Sequence, residues 1–222
     1  MAGWGYIETE TLSEPLLDAF QRNGGALFQG GLNNSHSGNL SVRGPGGYWV
    51  TRTRSMGHIT RKDDVIWATE DGSGDTSQLS REFMVHKAIY EASDHRAVVH
   101  CHPCAANSLA LIEDVILPLQ IEGHGALPSH VPVLEVANAS ASQELCDALA
   151  PMLADVPAVL VRGHGLFVGA DSLDQATHRA FVVNDAARMI LDMRMLGADL
   201  GALRNKPYLA AGYGAAPVAA AG

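Results

Sequence analysis

Cysteine is scarce in this chain: three among 222 residues, an odd number with no framework spacing. That excludes a disulfide-built scaffold and points to a reduced, cytoplasmic setting. Basic residues are outnumbered, 15 Lys and Arg against 24 Asp and Glu, for a net charge of −9. They form no cluster, which excludes a general nucleic-acid surface, and the acidity reads as ordinary solubility. No run is apolar and long enough to span a bilayer, so no membrane role is expected. Met1-Ala2-Gly3-Trp4-Gly5 lacks the basic-then-apolar pattern of a secretory signal. Repeats and linkers are also missing. What remains is a length sufficient for one domain, 1–222, with a large core.

Apolar periodicity divides that length into helices and strands. Thr11 to Leu27 reads as a helix started by Ser13-Glu14-Pro15, with Gly24-Gly25 as an early stop. Short strands follow at Asn39–Arg43, Tyr48–Thr51 and Val65–Ala68, the first two joined by the turn Gly44-Pro45-Gly46-Gly47. Ser80 to Ala92 is helical by the spacing of Val85, Ala88, Ile89 and Ala92. A strand over Ala97–His102 leads to a helix over Pro103–Ile112, then a short strand at Val131–Leu134 and a helix over Ser140–Leu153. Ala158–Val161 and Leu166–Val168 are strands around a Gly-His-Gly bend. Ser172 and Gln175 form a capping box for a long helix ending near Leu196. The tail after Pro207, rich in Ala and Gly, is expected to be mobile. The fold class is α/β, with a central, mixed but largely antiparallel sheet flanked by helices.

Chemistry concentrates at His100-Cys101-His102-Pro103. Side chains alternate along a strand, so His100 and His102 share one face while Cys101 faces away into the core. Two imidazoles joined by a third from a distant loop suffice to hold a divalent cation with positions open for substrate. His164, in Gly163-His164-Gly165 after a buried-type strand, is the leading third ligand. His124, in a similar Gly-His-Gly setting without such a strand, ranks below it. His86 and His178 fall on helices and read as surface or interface groups, and Cys104 follows Pro103 near the site. Glu82 stands at a helix start, where the dipole alone stabilises a carboxylate; it is also placed to accept and return a proton. Asn39 reads equally as a turn residue.

Four segments in order resemble the class II aldolase/adducin family, in its fuculose-phosphate aldolase-like branch. Gly38-Asn39-Leu40-Ser41 resembles the family's Gly-Asn-x-Ser. Ser80-Arg81-Glu82 resembles its Ser-Ser-Glu, Val98-Val99-His100-Cys101-His102 its Val-Val-His-x-His, and His164-Gly165-Leu166 its Asn-His-Gly-Leu segment. The resemblance spans roughly Leu12 to Leu196. It implies a homotetramer with active sites between subunits, acting on a small-molecule substrate. It implies a divalent metal, zinc first and manganese or another ion as the alternative, held by His100, His102 and His164. Glu82 would be the acid/base group, and Asn39 would bond a substrate anion or oxyanion. The implied activity is that of a metal-dependent carbon–carbon lyase, whose cleavage leaves an enediolate or enolate. A decarboxylase is the alternative; a dehydratase or epimerase, or a non-catalytic interaction module, ranks lower.

Two departures bear on the substrate. The family's phosphate loop, Thr-Pro-Ser/Thr-Gly, is matched here by Thr51-Arg52-Thr53-Arg54, and the second Ser of Ser-Ser-Glu is Arg81. Thr53, Arg54, Ser80 and Arg81 thus make up the substrate-binding set. Arg54 and Arg81 either grip a carboxylate or phosphate through paired donors or are solvated or interface arginines. The altered loop favours a non-phosphorylated, carboxylated substrate. Where fuculose-phosphate aldolase-like enzymes carry a proton-donating Tyr from a neighbouring subunit, the segment after Pro118 offers Glu122 instead, the kind of group used by dehydratase- and epimerase-like relatives. Tyr208 and Tyr213 in the tail are the remaining candidates to cover the site.

Overall fold

The computed structural model describes residues 11–72, 76–127 and 130–211. Helix α1 spans Glu14–Gln29, with the Ser13 hydroxyl accepting from the Leu16 N–H and Leu16, Phe20 and Leu27 buried. The expected stop at Gly24-Gly25 does not occur. A Cβ on Gly24 would lie 2.1 Å from the Gly57 carbonyl oxygen, so this glycine admits a close backbone approach and the helix runs on.

Strands β1 (Asn39–Gly44), β2 (Gly47–Thr51), β3 (Val65–Thr69), β4 (Ala97–Cys101), β5 (Val115–Ile116), β6 (Val131–Leu134), β7 (Ala158–Val161) and β8 (Gly165–Ala170) form one sheet. Its order is β3-β2-β1-β4-β8-β7-β6-β5. Every pairing is antiparallel except β6 with β7, so the expected mixed, largely antiparallel α/β domain is what forms.

Register and alternation decide what each face carries. Ser41 pairs with Val98, and His100 pairs with Asn39 and Phe167. These residues share the face covered by α2 (Phe83–Ala92) and α5 (Gln143–Asp155), whose core includes Val85, Ile89, Leu145, Leu149, Val98 and Phe167. The other face carries Leu40, Val99, Cys101 and Leu166. It packs on α1, α3 (Cys104–Ala110) and α6 (Leu173–Met195). Cys101 therefore points away from His100, as alternation requires, and burial pushes its thiol well above the usual range.

Several boundaries differ from the periodicity reading. Helix α2 begins at Phe83 because Ser80-Arg81-Glu82 forms a turn ahead of it. Strand β5 and helix α4 (Ile121–Ala126) were not expected; one is two residues long, and the other holds two glycines in six residues and has too few turns for a periodic signal. The capping of α6 is half the expected box: the Ser172 hydroxyl accepts from the Gln175 N–H at 3.2 Å, while Gln175 accepts from the Asp171 N–H at 3.1 Å. Beyond it, α7 (Leu200–Arg204) is followed by α8 (Pro207–Ala211). The Tyr208 hydroxyl donates to the Leu119 carbonyl at 3.1 Å, so the start of the expected mobile tail is helical and tethered. Tyr213 lies outside the described residues. Among those described, no helix is long and apolar enough to cross a membrane.

Candidate metal centre and active site

His100 is 1% exposed near the C-terminal end of β4. Its Nδ1 lies 3.1 Å from the Leu166 carbonyl oxygen. A carbonyl can only accept, so Nδ1 carries the proton and Nε2 presents a lone pair. His102 lies one residue past the strand, held by its backbone N–H donating to the Leu32 carbonyl at 2.8 Å and to Asn33 Oδ1 at 3.1 Å. Its Nε2 stands 2.9 Å from His100 Nε2, a pairing that is favourable only with a proton or a cation between the two nitrogens.

His164 arrives on the turn between β7 and β8. Gly163 takes φ +72° there, a conformation that costs other residues about 1 kcal/mol or more. Gly165 is required for space: a Cβ would meet His102 Cδ2 at 2.6 Å, the Cys101 carbonyl oxygen at 2.7 Å and His100 Cε1 at 2.9 Å. The ligand atoms of His100, His102 and His164 all lie within 4.8 Å of one another. Burial, then the neighbouring His102 and His164, holds His100 well below the usual imidazole range. Burial and His164 bring His102 down to about 4. Both are therefore neutral near pH 7, the form that binds a metal. With His164 Nδ1 buried and without a hydrogen-bond partner, this donor set fits a divalent cation held by imidazole nitrogen.

Glu82 is 7% exposed at the start of α2, with Oε1 3.9 Å from His164 Nε2. The Ser140 hydroxyl donates to Oε1 at 2.6 Å, while Oε2 is buried without a partner. One oxygen is fixed and the other is open to a proton. Asn39 pairs with His100 across β1 and β4. Gly38 before it has φ +74°, and a Cβ there would lie 2.6 Å from the His100 carbonyl oxygen. The loop at Thr53 and Arg54 is joined to the segment at Ser80 and Arg81 by a bridge of Arg52 with Leu79 and by the Thr53 N–H donating to the Gln78 carbonyl at 2.8 Å. Thr53 and Ser80 are half-buried; Arg54 and Arg81 are exposed.

Glu122 and His124 are not brought to this cluster in their own chain. His164 follows the C-terminal end of β7, and β6 runs parallel to β7. Helix α4 precedes the start of β6 and so stands at the opposite end of the sheet. There Glu122 is exposed, 3.9 Å from His178. His124 lines a cavity of about 420 Å³ with His95, Asp155, Asp171 and Arg179. The expectation for His178 holds, since it is exposed. That for His86 does not: it is fully buried, because α2 turns His86 and Tyr90 inward along with Val85 and Ile89. Cys104 is exposed on α3.

Sequence reasoning also missed several supports. Asn33 steadies His102 from the Gly-rich loop after α1, 69 positions away, where nothing local says which residue it will meet. Ser140 reaches Glu82 across 58 positions. Phe167 stacks on the His100 ring at 4.1 Å between centroids, which the alternation of β8 with β4 could have indicated.

The family model of the Class II Aldolase and Adducin N-terminal domain matches residues 21–191. The chain belongs to this family. The crystal structure of l-fuculose-1-phosphate aldolase from Thermus thermophilus superposes with a TM-score of 0.80 and 30% identity, covering 83% of this chain and 97% of that one. The methylthioribulose-1-phosphate dehydratase of Gluconacetobacter diazotrophicus is 36% identical over 160 residues, 64% of this chain and 76% of that protein. The 3,4-dihydroxyphthalate decarboxylase of Rhodococcus jostii is 28% identical over 186 residues, 77% of this chain and 76% of that protein.

Proposed function

We propose that this family member is a divalent-metal-dependent carbon–carbon lyase acting on a small hydroxy-carbonyl compound. The observation that carries the reading is the convergence of three imidazoles within 4.8 Å, with the Glu82 carboxylate 3.9 Å from the third. A divalent ion held by His100, His102 and His164, zinc or else manganese, supplies Lewis acidity toward a carbonyl. Glu82 moves the proton: Ser140 holds one oxygen still, and the buried, unpartnered oxygen takes a proton from the substrate and returns it. Asn39 bonds a substrate oxygen from the adjacent strand. The imidazoles contribute position, each ring being fixed by a carbonyl, a backbone anchor or a tight turn.

Aldol cleavage and decarboxylation differ in what leaves, an aldehyde or carbon dioxide, and in what they ask of Glu82: aldol cleavage has it take the hydroxyl proton and return one to carbon, whereas decarboxylation of a carboxylate needs only the delivery of a proton to carbon. A dehydratase relative at 36% identity and the carboxylate of Glu122 support a second reading in which Glu122 is the proton donor. Standing at the far end of the sheet, Glu122 could serve only a neighbour's imidazole cluster. That reading therefore needs the homotetramer with inter-subunit sites. The three free cysteines support a reduced, cytoplasmic setting.

The test is metal content of the gently purified protein beside His102→Ala, followed by a substrate panel scored for aldehyde, carbon dioxide or dehydrated product. About one ion per chain, lost in the variant, is expected. Absence of metal in both, with none taken up on titration, sinks the lyase reading. Loss of activity in Glu122→Gln with retention in Glu82→Gln transfers the proton to Glu122.

A further inference from the structure

Glu82 stands where it could serve either the cation or the substrate. The ligand atoms of His100, His102 and His164 lie within 4.8 Å of one another, and Glu82 is not in that set. Its Oε1 is nevertheless only 3.9 Å from His164 Nε2. Two ligands of one tetrahedral zinc lie about 3.3 Å apart, given bonds of about 2.0–2.2 Å. A small rotation would therefore carry Oε1 toward the cation, to fill the position that three imidazoles leave open. The Glu82 carbonyl accepts the N–H groups of Val85 and His86, so its backbone is fixed and only the side chain can turn.

The oxygen that approaches His164 is the one that Ser140 holds. The Ser140 hydroxyl donates to Oε1 at 2.6 Å, a separation usual for a hydroxyl on a carboxylate. Ser140 is exposed, so this side chain contributes a hydrogen bond and not core packing. The connection from β6 to α5 fixes where the hydroxyl stands. Val136 and Ala139 pack against the core under α2 and α5. The Glu144 carboxylate accepts the N–H of Ala137 at 3.0 Å and of Asn138 at 3.1 Å, and Asn138 Nδ2 at 2.8 Å. The Ser142 hydroxyl donates to the Asn138 carbonyl and accepts the Leu145 N–H at 3.0 Å. Between the two serines Ala141 takes φ +44°, a left-handed conformation that costs an alanine energy and that the surrounding bonds must impose.

We propose that Ser140 is a positioning residue that holds Glu82 back from the cation, so that one coordination position stays open and the carboxylate stays available to the substrate. This rests on the metal-dependent lyase reading above. Ser140 acts through Glu82 and touches neither the cation nor the substrate. Oε2, buried and without a partner, remains the oxygen that exchanges the proton.

The test measures zinc affinity of the full-length protein by competition with a chelator, and the visible absorption of the cobalt(II)-loaded protein, which responds to the ligand set. Damage to the site would weaken zinc binding; release of the tether should strengthen it. Ser140→Ala should bind zinc about tenfold to hundredfold more tightly, the range by which a hydrogen bond to a charged group had opposed ligation. Its cobalt bands should shift, and azide, a small anion that takes an open metal position, should bind the cobalt protein at least about tenfold more weakly. Ser140→Thr, which keeps the hydroxyl, should retain the zinc affinity and cobalt spectrum of the wild type. Glu82→Gln should bind zinc equally with and without Ser140→Ala, because the gain passes through the carboxylate. Unchanged or weaker zinc binding in Ser140→Ala, with the wild type loaded, overturns the tether alone. So does a gain that persists beside Glu82→Gln, which places the effect on another group. A wild type that takes up neither ion overturns the lyase reading, and this inference with it.

Discussion

Removing one hydroxyl, Ser41→Ala, should cost this protein far more than a small polar-to-apolar change usually does. Ser41 Oγ lies 2.7 Å from His86 Nδ1 and 2.8 Å from the Tyr90 hydroxyl. His86 and Ser41 are fully buried and Tyr90 is 1% exposed. No water reaches them to replace the lost partner, and His86 Nε2 already lacks one. Each buried polar group left unsatisfied costs about 1–3 kcal/mol. Two are created, so the variant should lose about 2–6 kcal/mol, out of the roughly 5–15 kcal/mol that a domain has. The same hydroxyl joins β1, which carries Asn39, to α2, which Glu82 directly precedes, so kcat should fall in the surviving folded fraction. Urea unfolding monitored by tryptophan fluorescence measures the loss. Ser41→Ala combined with Tyr90→Phe deletes one of the two stranded groups. The double variant should then be more stable than the sum of the single effects by at least about 1 kcal/mol. A cost below about 1 kcal/mol for Ser41→Ala, or strict additivity in the double variant, would show that the network is not satisfied as described.

Two further outcomes follow from the same groups. Burial brings His86 down to about 3, below its unfolded value of 6.5, so the unfolded chain binds a proton that the folded chain refuses. Stability is then fully present above pH 6.5 and is lost as pH falls toward 3, by up to about 1.4 kcal/mol per unit. Urea midpoints of metal-free protein between pH 7 and 4.5 should show a slope to which the depressed His100 and His102 also contribute, and His86→Asn should reduce it by up to about 1.4 kcal/mol per unit; an unchanged slope would assign the acid sensitivity to the other imidazoles. Gly165→Ala should retain the fold by far-ultraviolet circular dichroism yet lose at least about tenfold in metal affinity by competition with a chelator. The added methyl can be accommodated only by moving the rings of His100 and His102 or the Cys101 backbone, and full metal affinity in that variant would contradict the packing of the site.

What the sequence determined by itself was local. Alternation placed His100 and His102 on one face and Cys101 on the other, because successive strand side chains oppose each other. Ser13 and Ser172 marked helix starts, because a hydroxyl there can satisfy a backbone N–H that the helix leaves open. Four spaced segments were enough to identify the family, and His164 joined the cluster as expected. The tertiary structure decided what depends on sheet order and register. It buried His86, which helical spacing alone had left on the surface. It ran α1 through Gly24, because Gly57, 33 positions away, needed the room. It joined Glu82 to Ser140 and sent Glu122 to the far end of the sheet from the imidazoles of its own chain. A side chain's immediate neighbours follow from backbone geometry over a few residues. Its distant ones follow from which strands pair, and only the packed sheet fixes that.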